Sequence, residues 1–315
     1  MTTYLIVETQ KADKVRSQLL KFGDVVVLGS GNKDFASYTE LFDDQGDKVI
    51  GIAPGTLEWK VPNTVLDKIQ NLKGISTLSS WAHYIDLEYC KKRGIVVTNT
   101  LGANSQSVAE HAIWMMLSLA RKLPIQMSDD FRTKRDQDHK HAEILGKTAG
   151  IVGMGNIGSR IAKMAQGLGM NVVYWSPNTR NDAYTYLEFN EVLETSDFIF
   201  NCVETYEGTK GLFSKKSLSL LPKNSYYLSV VGGLGYGQED ADYLIEMINS
   251  DKLAGLAIEN EHEPNYKLPE IKKGKNVFIA GPYAWYTKEA EVRSLEKWVE
   301  AISGIINKNY IYRVV

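Results

Sequence analysis

Gly150-Ile151-Val152-Gly153-Met154-Gly155-Asn156-Ile157-Gly158 follows a polar loop, opens as a short apolar run, and sets Gly153, Gly155 and Gly158 in G-x-G-x-x-G spacing. Helical spacing begins at once, with Ile157, Ile161, Ala162, Ala165 and Leu168 on one face. A glycine-rich turn between strand and helix lets backbone approach a pyrophosphate closely. The helix N-terminus then adds unpaired N–H groups and a partial positive charge. A second β-type run, Asn171-Val172-Val173-Tyr174-Trp175, comes where a dinucleotide-binding fold needs its next strand. We read a dinucleotide site with Gly153, Met154, Gly155, Asn156 and Ile157 against the phosphates. The alternative is a glycine-rich structural turn.

Downstream, β-type runs at 150–152, 171–175, 197–203, 226–231, 253–258 and 276–280 alternate with helical patterns. They supply the strand count of a six-stranded dinucleotide-binding sheet, with Val203 and Val231 at strand ends that reach the coenzyme. Upstream, runs at 4–7, 25–28, 48–52, 75–78 and 95–97 alternate with helices in the same way. That pattern predicts a second parallel sheet covered on both faces, without a glycine fingerprint of its own. Ser107 and Glu110 have capping-box spacing before an almost wholly apolar helix, which predicts burial between domains or subunits. Residues 129–141 are dense in charge and read as a solvated loop or an arm on a partner subunit. His139 and His141, two apart, do not share a helix face and are not read as a metal site. The final helix, 287–306, is expected to pack back on the first domain.

At 315 residues the chain has room for two domains, and 43% hydrophobic with 23% charged residues is an ordinary globular balance. A net charge of -2 gives no reason to invoke nucleic acid or an acidic membrane. Cys90 and Cys202 lie far apart and suggest buried thiols in a reducing compartment. With no leader-like N-terminus and no membrane-length apolar run, a cytoplasmic protein is expected.

The second strand of the fingerprint domain normally ends near a carboxylate that takes the ribose hydroxyls of NAD. Here it runs into Trp175-Ser176-Pro177-Asn178-Thr179-Arg180, with no carboxylate before Asp182. Ser176, Asn178, Thr179 and Arg180 suit a 2′-phosphate instead, Arg180 through its planar fork. This favours NADP and leaves NAD open.

Residues 91–100 (KKRGIVVTNT), 108–112 (VAEHA), 150–158, 207–212 (EGTKGL), Glu263-Pro264 and 282–290 (PYAWYTKEA) together carry a resemblance to the D-isomer-specific 2-hydroxyacid dehydrogenases. It implies an α/β protein of two doubly wound parallel-sheet domains. Residues 1–100 and 286–315 would form a flavodoxin-like substrate domain, and 101–285 a Rossmann dinucleotide-binding domain through which the chain dimerises. The family's chemistry needs an arginine that clamps the substrate carboxylate, a histidine that moves a proton, and a glutamate that supports the histidine. The arginine's position in an N-x-x-R-G pattern falls in Ser229-Val230-Val231-Gly232-Gly233, where glycine stands instead. The histidine's place after a proline holds Tyr283. Glu263 matches the glutamate, with Glu261 as a substitute.

Without arginine the site lacks the bidentate donor that distinguishes a 2-keto acid from a plain ketone. Such a loss costs on the order of 10²–10³ in rate. A tyrosine, with an ordinary pKa of about 10, is a poor base near neutrality but can donate a proton to a forming alkoxide. One reading is therefore an NAD(P)H-dependent reductase of a carbonyl compound other than a simple 2-keto acid, with Tyr283, Glu263 and His83 as acid–base candidates. Ser80, Trp81, Ala82, Gly232 and Trp285 are its substrate-contact candidates, the first three in the family's substrate loop. A second reading is an inactive dinucleotide-binding regulator or scaffold, as the resemblance to the C-terminal-binding-protein corepressors allows. A third keeps 2-hydroxyacid chemistry with Arg93, Arg121 or Arg132 as a replacement clamp.

Overall fold

The computed structural model describes residues 1–31, 34–129, 131–132, 140–231, 237–259 and 267–315. The chain divides into two compact units, Met1–Asn104 with Lys288–Val315, and Ser105–Thr287.

The first unit is built on five parallel strands, β1 (Thr2–Ile6), β2 (Asp24–Val27), β3 (Lys48–Ile52), β4 (Leu72–Thr77) and β5 (Val96–Thr98). Their order is β2-β1-β3-β4-β5, the flavodoxin-like arrangement. β3 is buried along its whole length, as expected of a strand covered on both faces. The chain's last long helix, Lys288–Ile306, lies against one face, and glycines in two strands make room for it. A Cβ on Gly51 would stand 2.7 Å from Trp298 and 2.9 Å from Leu5, and one on Gly74 would stand 2.8 Å from Ile305. The terminal residues then cover the sheet edge, since the Val97 amide donates to the Val315 carbonyl and the Val314 amide to the Val97 carbonyl. Covering the edge removes a row of unpaired backbone groups.

The second unit carries β6 (Thr148–Val152), β7 (Asn171–Trp175), β8 (Thr185–Tyr186), β9 (Phe198–Asn201), β10 (Ser225–Ser229), β11 (Leu253–Glu259) and β12 (Val277–Ala280). All are parallel, in the order β12-β11-β10-β9-β6-β7-β8. This is the doubly wound dinucleotide order extended by one strand. The sheet has seven strands rather than six because β8, only two residues long, gives no alternation from which a strand can be read. Separate apolar clusters fill its two faces, one holding Ile151, Ile161 and Phe200, the other Val152, Ile199 and Tyr227.

The capping box expected for the helix Ser105–Ala120 is corrected. The helix begins at Ser105, and the Ser107 hydroxyl donates to the Ala284 carbonyl instead of capping. Glu110 accepts from the Gln106 amide at 2.8 Å, so the two do not form a capping box. Within the chain the helix is mostly buried, while Trp114 and Leu117 are 44% and 38% exposed and share a stripe with Glu110. Among the described residues no helix is long and apolar enough to cross a membrane, and no group of His, Cys, Asp or Glu could hold a metal.

Candidate functional site

β6 is followed by a turn whose glycines each answer a different steric demand. Gly153 has φ +101, and a Cβ there would meet the Cys202 carbonyl carbon at 2.8 Å and Val203 at 2.9 Å. Gly158 opens the helix Gly158–Gly167, and a Cβ there would lie 1.9 Å from the Gly153 carbonyl oxygen. Gly155 is the opposite case, with nothing within 4 Å of a built Cβ. Two glycines thus close the turn, and the third leaves its outer face open for a ligand. Among the described residues, no backbone carbonyl takes the N–H groups of Met154, Gly155, Asn156 or Ile157. The Met154 side chain is buried in the core, so that residue offers the site only its backbone. The Asn156 carbonyl is occupied by the Arg160 guanidinium at 2.6 Å. Open N–H groups at a helix N-terminus are an anion cradle, and a pyrophosphate fits it.

At the end of β7, Ser176 is buried while Asn178, Thr179 and Arg180 are exposed. Arg180 donates to the Ser176 carbonyl at 2.8 Å and the Thr179 carbonyl at 3.2 Å, and its guanidinium lies 4.0 Å from the Tyr186 ring centroid. The fork is therefore held in place. Tyr186, which sequence reasoning missed, comes from β8 and gives the arginine a flat support.

At the ends of β9 and β10 lies a polar cluster also absent from the sequence reading. Asn201 Nδ2 donates to Gln238 Oε1 at 2.8 Å and Glu239 Oε1 at 2.7 Å, and the Tyr227 hydroxyl donates to Glu239 Oε1 at 2.8 Å. Asn201 Oδ1 accepts the Val203 amide, and Gln238 Nε2 donates to the Val203 carbonyl at 2.9 Å, so the cluster fixes that strand end. Val231 continues from β10 and is half-buried. Part of Glu239 reaches solvent, but its carboxyl sits inside this network. Burial raises its pKa above the ordinary 4.5, with hydrogen bonds from Asn201, Ser229 and Tyr227 opposing. Burial, reinforced by the Glu239 charge, raises Tyr227 well above 10.

A carboxyl whose folded pKa is raised contributes stability that is fully present below its unfolded pKa and is lost as pH rises through the folded value. Glu239→Gln keeps the acceptor and removes the ionisation. It should therefore lose less melting temperature than the native chain between pH 5 and pH 8. Parallel thermal curves for the two proteins would show that the carboxyl is not held neutral.

Beyond β12 the chain turns through Gly281 and Pro282 to Tyr283, 68% exposed, with Trp285 46% exposed. This loop is pinned from two sides. Glu259 at the end of β11 accepts the Ala284 amide at 2.6 Å, and Ser107 donates to the Ala284 carbonyl. Glu259 was not singled out from sequence, although a carboxylate ending a parallel strand is the signal that marks it. Glu261, Glu263 and Gly232, together with His139, lie outside the described residues.

The loop after β4 belongs to the first unit. The Trp81 amide donates to Ser79 Oγ at 3.0 Å, and the Ser80 carbonyl accepts Asn99 Nδ2 at 2.9 Å. Ala82 is buried, whereas Trp81 and His83 are exposed with ring centroids 5.9 Å apart. His111 is half-buried against Trp114, and burial lowers its pKa. Of the candidate replacement arginines, Arg93 is engaged by the Leu66 carbonyl at 2.8 Å and the Tyr89 hydroxyl at 3.0 Å. Arg121 and Arg132 are exposed.

Residues 113–282 match the model of the D-isomer specific 2-hydroxyacid dehydrogenase, NAD binding domain. A glyoxylate reductase of Thermococcus litoralis is 30% identical over 269 residues, 80% of this chain and 77% of that protein. A D-3-phosphoglycerate dehydrogenase of Archaeoglobus fulgidus is 32% identical over 74% of this chain but only 45% of its own length, so the chain spans about half of that relative. Among solved structures, an acyclic imino acid reductase in complex with NADPH and D-Arg superposes with a TM-score of 0.82, covering 100% of both chains at 20% identity. That likeness is one of fold. The glycine turn, the strand order around it and the match across 113–282 agree: this chain belongs to the D-isomer-specific 2-hydroxyacid dehydrogenase family.

Proposed function

We propose that the protein is an NAD(P)H-dependent reductase of a carbonyl or related C=N substrate that is not a simple 2-keto acid. The single observation that carries this is the turn at 153–158, built to leave four N–H groups open. Met154–Ile157 hold the pyrophosphate, Val203 and Val231 flank the reactive end, and Ser176 to Arg180 take the adenosine end. The supported guanidinium of Arg180 favours a 2′-phosphate and hence NADPH. When bound, the coenzyme supplies the hydride. Tyr283 donates its hydroxyl proton to the oxygen or nitrogen that becomes negative, and solvent reprotonates the exposed phenol. Glu259 positions Tyr283 by fixing the next amide, and Glu263 and His83 are further acid–base candidates. Trp285, exposed beside Tyr283, is a substrate-contact candidate. The exposed stripe at Trp114 and Leu117 suits a homodimer through this unit, and the free thiols suit a reducing cytoplasm.

The test is NADPH consumption with a panel of aldehydes, ketones, imines and 2-keto acids. Turnover of at least one non-2-keto-acid substrate is expected, falling about 10²-fold in Tyr283→Phe. In the same assay Arg180→Gln should raise the KM for NADPH and leave that for NADH nearly unchanged. Tight NADPH binding without turnover anywhere in the panel would replace the enzyme by a dinucleotide-binding regulator.

A further inference from the structure

The geometry points to Trp59 and Trp81 as a stacking platform that selects substrates carrying a planar aromatic group. This inference rests on the reductase reading and names its substrate class. In an open parallel sheet, ligands lie beyond the carboxyl ends of the strands near the point where strand order reverses, here β1 and β3. Trp59 sits in the loop after β3, just past the turn Pro54–Leu57, and Trp81 sits in the loop after β4. Their ring centroids are 5.7 Å apart, with the planes at 54°. Both rest on Tyr84, whose centroid is 5.4 Å from Trp59 and 6.2 Å from Trp81. Tyr84 is itself fixed, because its hydroxyl donates to the buried Thr77 Oγ1 at 2.6 Å. Above this base Trp59 and Trp81 stay 45% and 43% exposed.

Single exposed tryptophans need no explanation, but two in contact on a fixed support form a patch with a preferred ligand geometry. The rings stand too close to enclose a group between them, since a sandwiched ring needs roughly 7 Å, two contact layers of about 3.5 Å. A flat group can therefore stack only on an outer face. The backbone holds this arrangement. Glu58 and Trp59 both take left-handed φ, 49° and 58°, which non-glycine residues avoid unless contacts impose it. Those contacts are the Glu58 amide to the Gly55 carbonyl at 3.4 Å and the Trp59 amide to the Pro54 carbonyl at 3.0 Å. On the other loop, the Trp81 amide is already taken by Ser79 Oγ, so it does not grip a carboxylate and what Trp81 presents is its ring.

The experiment uses the intact chain and two ketones that differ only in the ring, 4-phenyl-2-butanone and 4-cyclohexyl-2-butanone, with binding followed by tryptophan fluorescence and saturation-transfer NMR. The phenyl ketone should bind about tenfold more tightly. Trp59→Leu and Trp81→Leu should each weaken it about tenfold while changing the cyclohexyl ketone less than about twofold. Trp81→Phe, which keeps a flat ring, should retain most of the affinity, and melting temperatures certify folding. Equal affinities, no binding of the phenyl ketone, or insensitivity to both tryptophan variants would each overturn the platform. Ring-dependent binding without NADPH consumption would uphold the platform and defeat the reductase reading. Turnover of both ketones independent of the tryptophans would do the reverse.

Discussion

Gly158→Ala is expected to destabilise the coenzyme unit by about 2–4 kcal/mol and to abolish measurable NADPH binding, whereas Gly155→Ala should leave stability within about 0.5 kcal/mol and still lose most of the affinity. The difference follows from where each methyl group goes. At Gly158 it would lie 1.9 Å from the Gly153 carbonyl oxygen, a backbone atom that cannot swing aside, so the strand, turn and helix must separate. At Gly155 it meets no protein atom within 4 Å and projects from the open face of the turn, where the proposed site would hold the coenzyme phosphates. Thermal unfolding paired with equilibrium titration of NADPH separates the two effects. Native affinity in Gly155→Ala would mean that the coenzyme lies elsewhere.

Trp298→Ala should cost the first unit about 3–5 kcal/mol, enough to lower its melting temperature by roughly 10 °C or more. Trp298 is fully buried, and its indole N–H donates to the Ser76 carbonyl at 3.1 Å within β4. Its ring fills the groove that Gly51 leaves open beside Leu5 and Ile302. The substitution therefore removes a large buried apolar group together with one buried hydrogen bond, two losses that add. The measurement is two-probe thermal unfolding, with NADPH binding reporting on the second unit and far-ultraviolet dichroism on the whole chain. A loss below about 1 kcal/mol would show that the helix Lys288–Ile306 is only loosely attached.

The strands of both sheets were legible because their cause is local. After Lys48, β3 is an unbroken apolar run, Val49 to Ile52, with turn residues on either side, so length and punctuation identify it without knowledge of its neighbours. The short β8 was not legible, since it exists only because Tyr174 in β7 stands opposite Tyr186. The same distinction runs through the candidate site. Gly153, Gly155 and Gly158 announce themselves by spacing, and Arg180 by the lack of a nearby carboxylate. Their separate roles, two closing the turn and one leaving it open, became visible only once Cys202 and Val203, just beyond β9, were packed against it. Capping at Ser107 and Glu110 was misread because Ser107 found a partner at Ala284, far along the chain.

By itself, then, the order of residues determined two doubly wound parallel-sheet domains and a glycine-rich turn at 150–158 between a strand and a helix. Tertiary structure alone decided that Glu259 anchors the Tyr283 loop, that Asn201, Tyr227 and Glu239 share one buried network, and that Trp59 meets Trp81 over Tyr84. The physical reason is range. Periodicity and glycine geometry act over a few neighbouring residues, whereas a hydrogen bond or ring contact between distant segments exists only after the sheets have brought their strand ends together.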